Sequence, residues 1–228
     1  MMMLWLVPLL LSRIGLFHQQ SNAGAFAFAV QADLHPMNRA YRPISRASYS
    51  LAMSKQDSPS AQRNKQPIWD VLVSRVLPII KQTPPDDKQL RVLEVAAGCG
   101  VHTEYFALQM SKALGYDRAF TWYPTDPMLD SLESIQCYIN DNSDLLSKVV
   151  VPPMFLTLNA LGIHEPSTKT TLSALKLDLI ICINMIHISP WEATLGLMKM
   201  AGESLTENGC LYCYGPYKIG GTAVESNL

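Results

Sequence analysis

Arg91-Val92-Leu93-Glu94-Val95-Ala96-Ala97-Gly98-Cys99-Gly100-Val101-His102 reads as a buried strand over residues 92–95 that runs into a glycine turn and opens a helix. At such a turn the first backbone N–H groups of the helix have no intrahelical partner. Together with the helix dipole they favour an anion or the polar head of a ligand. The dinucleotide fingerprint G-x-G-x-x-G would place its third glycine at Thr103, whose side chain stands where helix and strand must pack closely. A nicotinamide oxidoreductase is therefore disfavoured.

Downstream of this turn the chain alternates between helical and extended patterns. A helix is expected from His102 to about Leu114, then a strand over residues 119–123 ending at Pro124-Thr125-Asp126. Pro127 suits the first turn of a helix that reaches about Asn140, with Leu129, Leu132, Ile135 and Ile139 inward. A third strand is expected over residues 154–158, and residues 159–174 read as a loop with at most one helical turn. Residues 177–183 form the most hydrophobic run and read as a strand buried on both faces. Ser189-Pro190-Trp191-Glu192 has the form of a capping box opening a helix through Leu205, stopped by Asn208-Gly209 before a fifth strand over residues 210–214. Upstream, a helix capped at Ser60 or its neighbour runs to about Leu77, with Ile68, Leu72, Val76 and Ile79 at helical spacing. Strands alternating with helices imply an α/β, doubly wound fold with a parallel central sheet and ligand chemistry at the carboxyl ends of the strands.

A chain of 228 residues can bury one such core and still carry a tail. The tail is at the N-terminus. Residues 1–56 hold five basic residues against Asp33 alone, a net of +4, whereas the remainder holds 13 basic and 18 acidic residues, a net of −5. An acidic domain behind a basic leader argues for targeting and against a nucleic-acid surface on the domain. Residues 1–11 are apolar but too short to span a bilayer, and with the small residues Asn22-Ala23-Gly24-Ala25 they read as a signal-like segment over residues 1–25. Residues 26–56, with Arg39, Arg42 and Arg46 among serines, have the composition of a transit peptide. The two parts joined near Phe26 resemble the bipartite leaders of complex algal plastids, with a mitochondrial or secretory leader as the alternative. The domain is then residues 57–228, with no membrane span in the mature protein. The five cysteines are odd in number and read as small buried hydrophobes; Cys210 and Cys213 form a lone C-x-x-C, so no metal centre is expected.

Several blocks carry a resemblance beyond periodicity. The spacing of Glu94, Ala96, Gly98 and Gly100 resembles the first motif of class I methyltransferases that use S-adenosyl-L-methionine (SAM). Residues 62–68 (Gln-Arg-Asn-Lys-Gln-Pro-Ile), 122–126 (Trp-Tyr-Pro-Thr-Asp), 183–191 (Ile-Asn-Met-Ile-His-Ile-Ser-Pro-Trp) and 214–217 (Tyr-Gly-Pro-Tyr) are similar, in order, to the methyltransferase-like 26 family. The resemblance implies a Rossmann-like class I methyltransferase fold and SAM as cofactor but supplies no substrate; the acceptor is unknown and is expected to be a small molecule. Two departures stand out: Leu156-Thr157-Leu158 replaces a triplet with a central acid expected near the adenine, and with its end at Leu228 the chain is expected to lack the last two strands of a seven-stranded sheet.

Within that frame Gly98 and Gly100 let the backbone approach the methionyl head of SAM. Asp126 can accept from both ribose hydroxyls. Glu94 either receives the turn's N–H groups or the ligand's ammonium, or is structural. Asn184 and His187 follow the fourth strand where an acceptor would lie, and His187 is the candidate general base, or else a packed histidine. Trp191 and Tyr217 either stack against the acceptor or close the end of the sheet. His102 is expected on the exposed side of the turn. The competing class is a non-catalytic interaction protein that retains the fold.

Overall fold

The computed structural model describes residues 54–81, 89–114 and 119–217, and the backbone of residues 5–8. Along the chain these form β1 (Trp5–Pro8), α1 (Pro59–Val71), a π-helical turn (Leu72–Val76), α2 (Leu77–Ile80), β2 (Leu90–Val95), α3 (Val101–Leu114), β3 (Phe120–Asp126), α4 (Leu129–Asp141) and α5 (Ser143–Leu146). There follow β4 (Met154–Phe155), β5 (Leu158–Asn159), β6 (Gly162–Ile163), α6 (Pro166–Ser173), β7 (Leu177–Ile183), α7 (Trp191–Ser204) and β8 (Leu205–Tyr214). The main sheet has the order β1-β8-β7-β2-β3-β4, and its last five members are parallel. β2 is central and the chain winds outward from it in both directions, so a crevice opens between the carboxyl ends of β2 and β7, where the winding reverses. The expected doubly wound parallel sheet is present.

The alternation of side chains along each strand builds two cores. Val92, Trp122, Leu179, Ile181 and Tyr212 face one layer, made by α1 to α5; Leu93, Ile180, Cys182 and Leu211 face the other, made by α6 and α7. Cys210 and Cys213, three apart on one strand, fall into opposite cores, so their thiols cannot converge on a metal. Among the described residues no cluster of metal ligands occurs and no helix is long and apolar enough to cross a membrane.

Several local expectations are revised. Ser58, not Ser60, caps α1, its Oγ accepting from the Ala61 N–H at 3.3 Å with Pro59 next in the chain. The π turn inserts one residue into the helical phase, so after Ile68, Leu72 and Val76 the buried position is Ile80 rather than Ile79. The third strand is only Met154–Phe155, and Leu158 instead opens a two-stranded hairpin with Gly162–Ile163. The expected loop over residues 159–174 contains the eight-residue α6. Ser189 does not cap α7: its hydroxyl points to Met185 Sδ at 2.9 Å, and the helix begins one residue later than the capping box implied. β8 starts directly after α7, with an irregularity in its pairing with β7 between Leu177 and Leu179 that accommodates Asn208 and Gly209.

Of the leader expected over residues 1–56, the described parts are residues 54–56 and β1, which pairs antiparallel with β8 from Trp5↔Cys213 to Pro8↔Cys210. The small-residue stretch 22–25 and the transit-like arginines lie outside the described residues, as do residues 218–228.

Candidate functional site

The two strands that flank the reversal of winding both end in a left-handed residue carrying a Cβ. Ala96 leaves β2 at φ 54° and Asn184 leaves β7 at φ 57°. Such a conformation costs roughly 1–2 kcal/mol for a residue with a Cβ. Cross-strand bonds hold both tips: Ala97 N–H donates to Thr125 O at 2.9 Å, and Asn184 N–H donates to Tyr214 O at 2.7 Å.

The two glycines of the turn serve different ends. Gly98 has φ +62° and open space where a Cβ would project. Gly100 has φ +102°, and a Cβ there would stand 2.9 Å from the Cα of Ile135 and 3.1 Å from Tyr138 Cδ2. Gly100 is thus required by the packing of α4 against the turn, whereas the side left open to a side chain belongs to Gly98.

Asp126, at the end of β3, clasps this turn. Its Oδ2 accepts from Gly98 N–H at 2.8 Å and its Oδ1 from Met128 N–H at 2.9 Å, tying the glycine turn to the start of α4. Burial raises its pKa, opposed by these backbone bonds and by Ser131. Each oxygen retains acceptor capacity for a ligand hydroxyl. Glu94 points the other way, into the core beneath α3, where Oε2 accepts from Thr103 Oγ1 at 2.7 Å and Trp122 Nε1 at 2.8 Å. Complete burial pushes its carboxyl up to about 7, against the lowering effect of those two donors. The side chain that removed the nicotinamide fingerprint, Thr103, is therefore the partner of a buried acid.

Two cavities open at the carboxyl end of the sheet. The smaller, about 190 Å³, is mostly apolar and lies over Ala96, Pro127, Leu156, Thr157, Met185 and Pro190. Its Thr157 occupies the place where an acid was expected, and a carboxylate is supplied from elsewhere. Glu165, at the start of α6, accepts from Thr157 N–H at 2.7 Å and from its hydroxyl. The larger cavity, about 410 Å³, is walled by Ser60, Arg63, Asn64 and Pro67 of α1 and by Asn184, Tyr214, Gly215 and Pro216. Asn184 and Met185, consecutive in the chain, line one cavity each.

His187 is exposed at the rim of the larger cavity, its Nδ1 3.3 Å from where a Cβ on Gly215 would sit. Tyr217 reaches the same point, its hydroxyl 3.4 Å away, and burial raises its pKa. Trp191 is 64% exposed and lines neither cavity. His102 is not on the exposed side of the turn: it is buried, stacked on Phe106 with ring centroids 5.3 Å apart, and its Nε2 meets Asn64 Oδ1 at 2.8 Å. Burial, with a smaller contribution from Lys65, lowers its pKa to about 4. The structure therefore gathers Ala96, Gly98, Asp126, Asn184 and His187 around the crevice and turns Glu94 and Gly100 into the core. Sequence reasoning assigned no role to Arg63, Asn64 or Glu165. The first two sat in a recognised block, whereas nothing in the chain near Glu165 signals its partner.

Residues 55–228 match the family described as "Protein of unknown function (DUF938)". Among solved structures, the CurJ carbon methyltransferase is similar at 20% identity and a TM-score of 0.48, over 72% of this chain and 38% of that one. YjhP from E. coli is similar at 12% identity and a TM-score of 0.39, over 72% and 51%. The magnesium protoporphyrin IX methyltransferase of Synechocystis PCC 6803, solved with bound SAM, is similar at 15% identity and a TM-score of 0.37, over 67% and 64%. The chain thus spans less than two thirds of the length of each of these proteins. With the family match covering most of its length, the chain belongs to the DUF938 family.

Proposed function

We propose that this protein is a SAM-dependent methyltransferase acting on a small-molecule acceptor, and that within its family it is akin to the methyltransferase-like 26 proteins. The carrying observation is the pair of cavities that meet at the Asn184-Met185 peptide at the reversal of winding, the smaller lined by Ala96 at the foot of the glycine turn and by Pro127 next to Asp126. SAM supplies a methyl group on a positively charged sulfur, an electrophile that needs no further activation. The protein's task is therefore positioning: to hold the cofactor's ends and align a nucleophile behind the methyl carbon. The smaller, apolar cavity suits an adenine, with the Thr157–Glu165 pair at its wall. Asp126 retains acceptor capacity for the ribose diol, and the larger cavity is left for the methionyl end and the acceptor. His187 at its rim can take the proton an amine or hydroxyl acceptor sheds.

Calorimetric titration of SAM into the full chain tests this. Asp126→Ala is expected to weaken SAM by about 1–3 kcal/mol, roughly 5- to 150-fold, in protein shown to be folded by circular dichroism. His187→Ala is expected to lower turnover in a methyl-transfer screen while leaving SAM affinity unchanged. A well-folded wild type that binds no SAM refutes the cofactor and leaves an interaction protein with a methyltransferase-like fold. We further propose plastid import through residues 1–56. N-terminal sequencing of the native protein is expected to find a start between Ala25 and Asp57, and an intact Met1 would overturn it.

A further inference from the structure

The wall that α1 gives to the larger cavity plays no part in the chemistry above. It carries one charged side chain, Arg63, and no acid lines the cavity. Among the described residues no carboxylate lies within salt-bridge distance of Arg63. Next to it, Asn64 is held in a fixed sense. His102 is buried and neutral near pH 7, so its ring carries one proton, and with Asn64 Oδ1 as the acceptor that proton sits on Nε2. The carbonyl of Asn64 is thereby engaged from the protein side, which leaves its two N–H bonds as the polar groups free to address the cavity. Ser60 adds a hydroxyl one turn earlier on α1, close enough to Ser58 for a 3.0 Å contact between the two oxygens.

A guanidinium, a carboxamide presenting donors and a hydroxyl, with no acid opposite, match a ligand rich in acceptor oxygens. A single cation balances a single negative charge, and the guanidinium fork fits the two coplanar oxygens of a carboxylate. A phosphomonoester, carrying nearly two charges at neutral pH, would leave one uncompensated.

From this geometry we infer that Arg63 and Asn64 form a carboxylate-reading subsite in the larger cavity, with His102 as the positioning residue that turns the Asn64 amide toward the ligand. The inference deepens the methyltransferase reading and rests on it for the source of the carboxylate: the methionyl end of the cofactor, or an acidic acceptor facing Asn184.

The experiment separates the two sources. S-adenosylhomocysteine, which has the carboxylate, and 5′-methylthioadenosine, which lacks it, are titrated calorimetrically into the full chain and into Arg63→Gln and Asn64→Asp. Arg63 is exposed on α1, so its replacement leaves the core intact, and Asn64→Asp keeps an acceptor for His102 while placing a negative charge in the subsite. If the cofactor supplies the carboxylate, both variants bind S-adenosylhomocysteine at least tenfold more weakly and 5′-methylthioadenosine as the wild type does. If the acceptor supplies it, S-adenosylhomocysteine affinity is unchanged. Benzoate then binds the S-adenosylhomocysteine-saturated wild type and fails to bind either variant. S-adenosylhomocysteine and benzoate both indifferent to both substitutions would overturn the subsite. A folded wild type that binds neither nucleoside refutes the cofactor reading alone. Benzoate added to that free protein still decides the subsite, since binding lost in Arg63→Gln supports it and binding retained or never seen overturns it.

Discussion

Replacing the two glycines of the turn one at a time separates packing from ligand access. In Gly100→Ala the new methyl must stand 2.9 Å from the Cα of Ile135, a backbone atom of α4 that cannot swing aside, on a residue at φ +102°. That angle lies beyond the left-handed well open to L-residues and costs about 1–3 kcal/mol. Forcing a methyl into a packed interface costs about 1–3 kcal/mol more. Gly100→Ala is therefore expected to lose about 2–6 kcal/mol of stability in urea unfolding, with SAM affinity of the surviving folded fraction secondary to that loss. Gly98→Ala has φ +62°, inside the left-handed well, and open space around the new methyl, so about 1–2 kcal/mol is expected. Its effect falls on binding instead, with SAM affinity reduced tenfold or more by calorimetry. Gly100→Ala within 1 kcal/mol of wild type, or Gly98→Ala as damaging as Gly100→Ala, would refute the assignment of one glycine to α4 and the other to the ligand.

Glu94→Gln tests the buried acid by pH. Its folded pKa of about 7 lies above the ordinary value of 4.5, so the protonated form is the one the fold favours. The stability it supports is full below about pH 4.5 and lost as pH rises toward 7, by roughly 3 kcal/mol. Glutamine mimics the neutral acid, so urea titrations from pH 5 to 8 should show this slope in the wild type and not in the variant; equal slopes would sink the explanation. Trp122→Phe removes one donor to Glu94 and is expected to cost about 1–3 kcal/mol at pH 8, measured the same way. Glu165→Ala frees the Thr157 amide, whose hydrogen exchange should accelerate while exchange in β2 is unchanged. Cys182, Cys210 and Cys213 are buried, so thiol titration of the native chain should find no more than two reactive groups, against five in denaturant.

The strands were legible where burial on both faces imposes a continuous apolar run, as in Leu177–Ile183, and where the glycine turn punctuates it. The helices with a broad apolar stripe were legible for the same reason. What escaped has local causes. α6 is a short Thr- and Ser-rich helix with only Thr168 and Leu172 buried, so it carries no period to read. The π turn over Leu72–Val76 shifts the helical phase so that Ile80, rather than Ile79, is buried, which no spacing rule anticipates. Site residues were harder still. The partners of His102, Glu94 and Thr157 lie 38, 28 and 8 residues away, and which way each side chain turns is decided by those partners. A motif gives the identity of a residue and not its direction, which is why the alternatives for Glu94 stayed open until its hydrogen bonds to Thr103 and Trp122 placed it in the core.

The left-handed tips at Ala96 and Asn184 limit how this sequence can drift. Glycine at either place would relieve the torsion but give the unfolded chain more freedom, and aspartate would tolerate it; valine or isoleucine would have to flip the tip back into the extended region. Ala96 lines the smaller cavity alone, whereas Asn184 lines the larger and its chain neighbour Met185 the smaller, so a flip at Ala96 would redraw one cavity and a flip at Asn184 would move the peptide that both share. Position 96 can therefore reshape the smaller cavity by itself, whereas position 184 couples the contours of both, so that a single codon there alters two compartments at once.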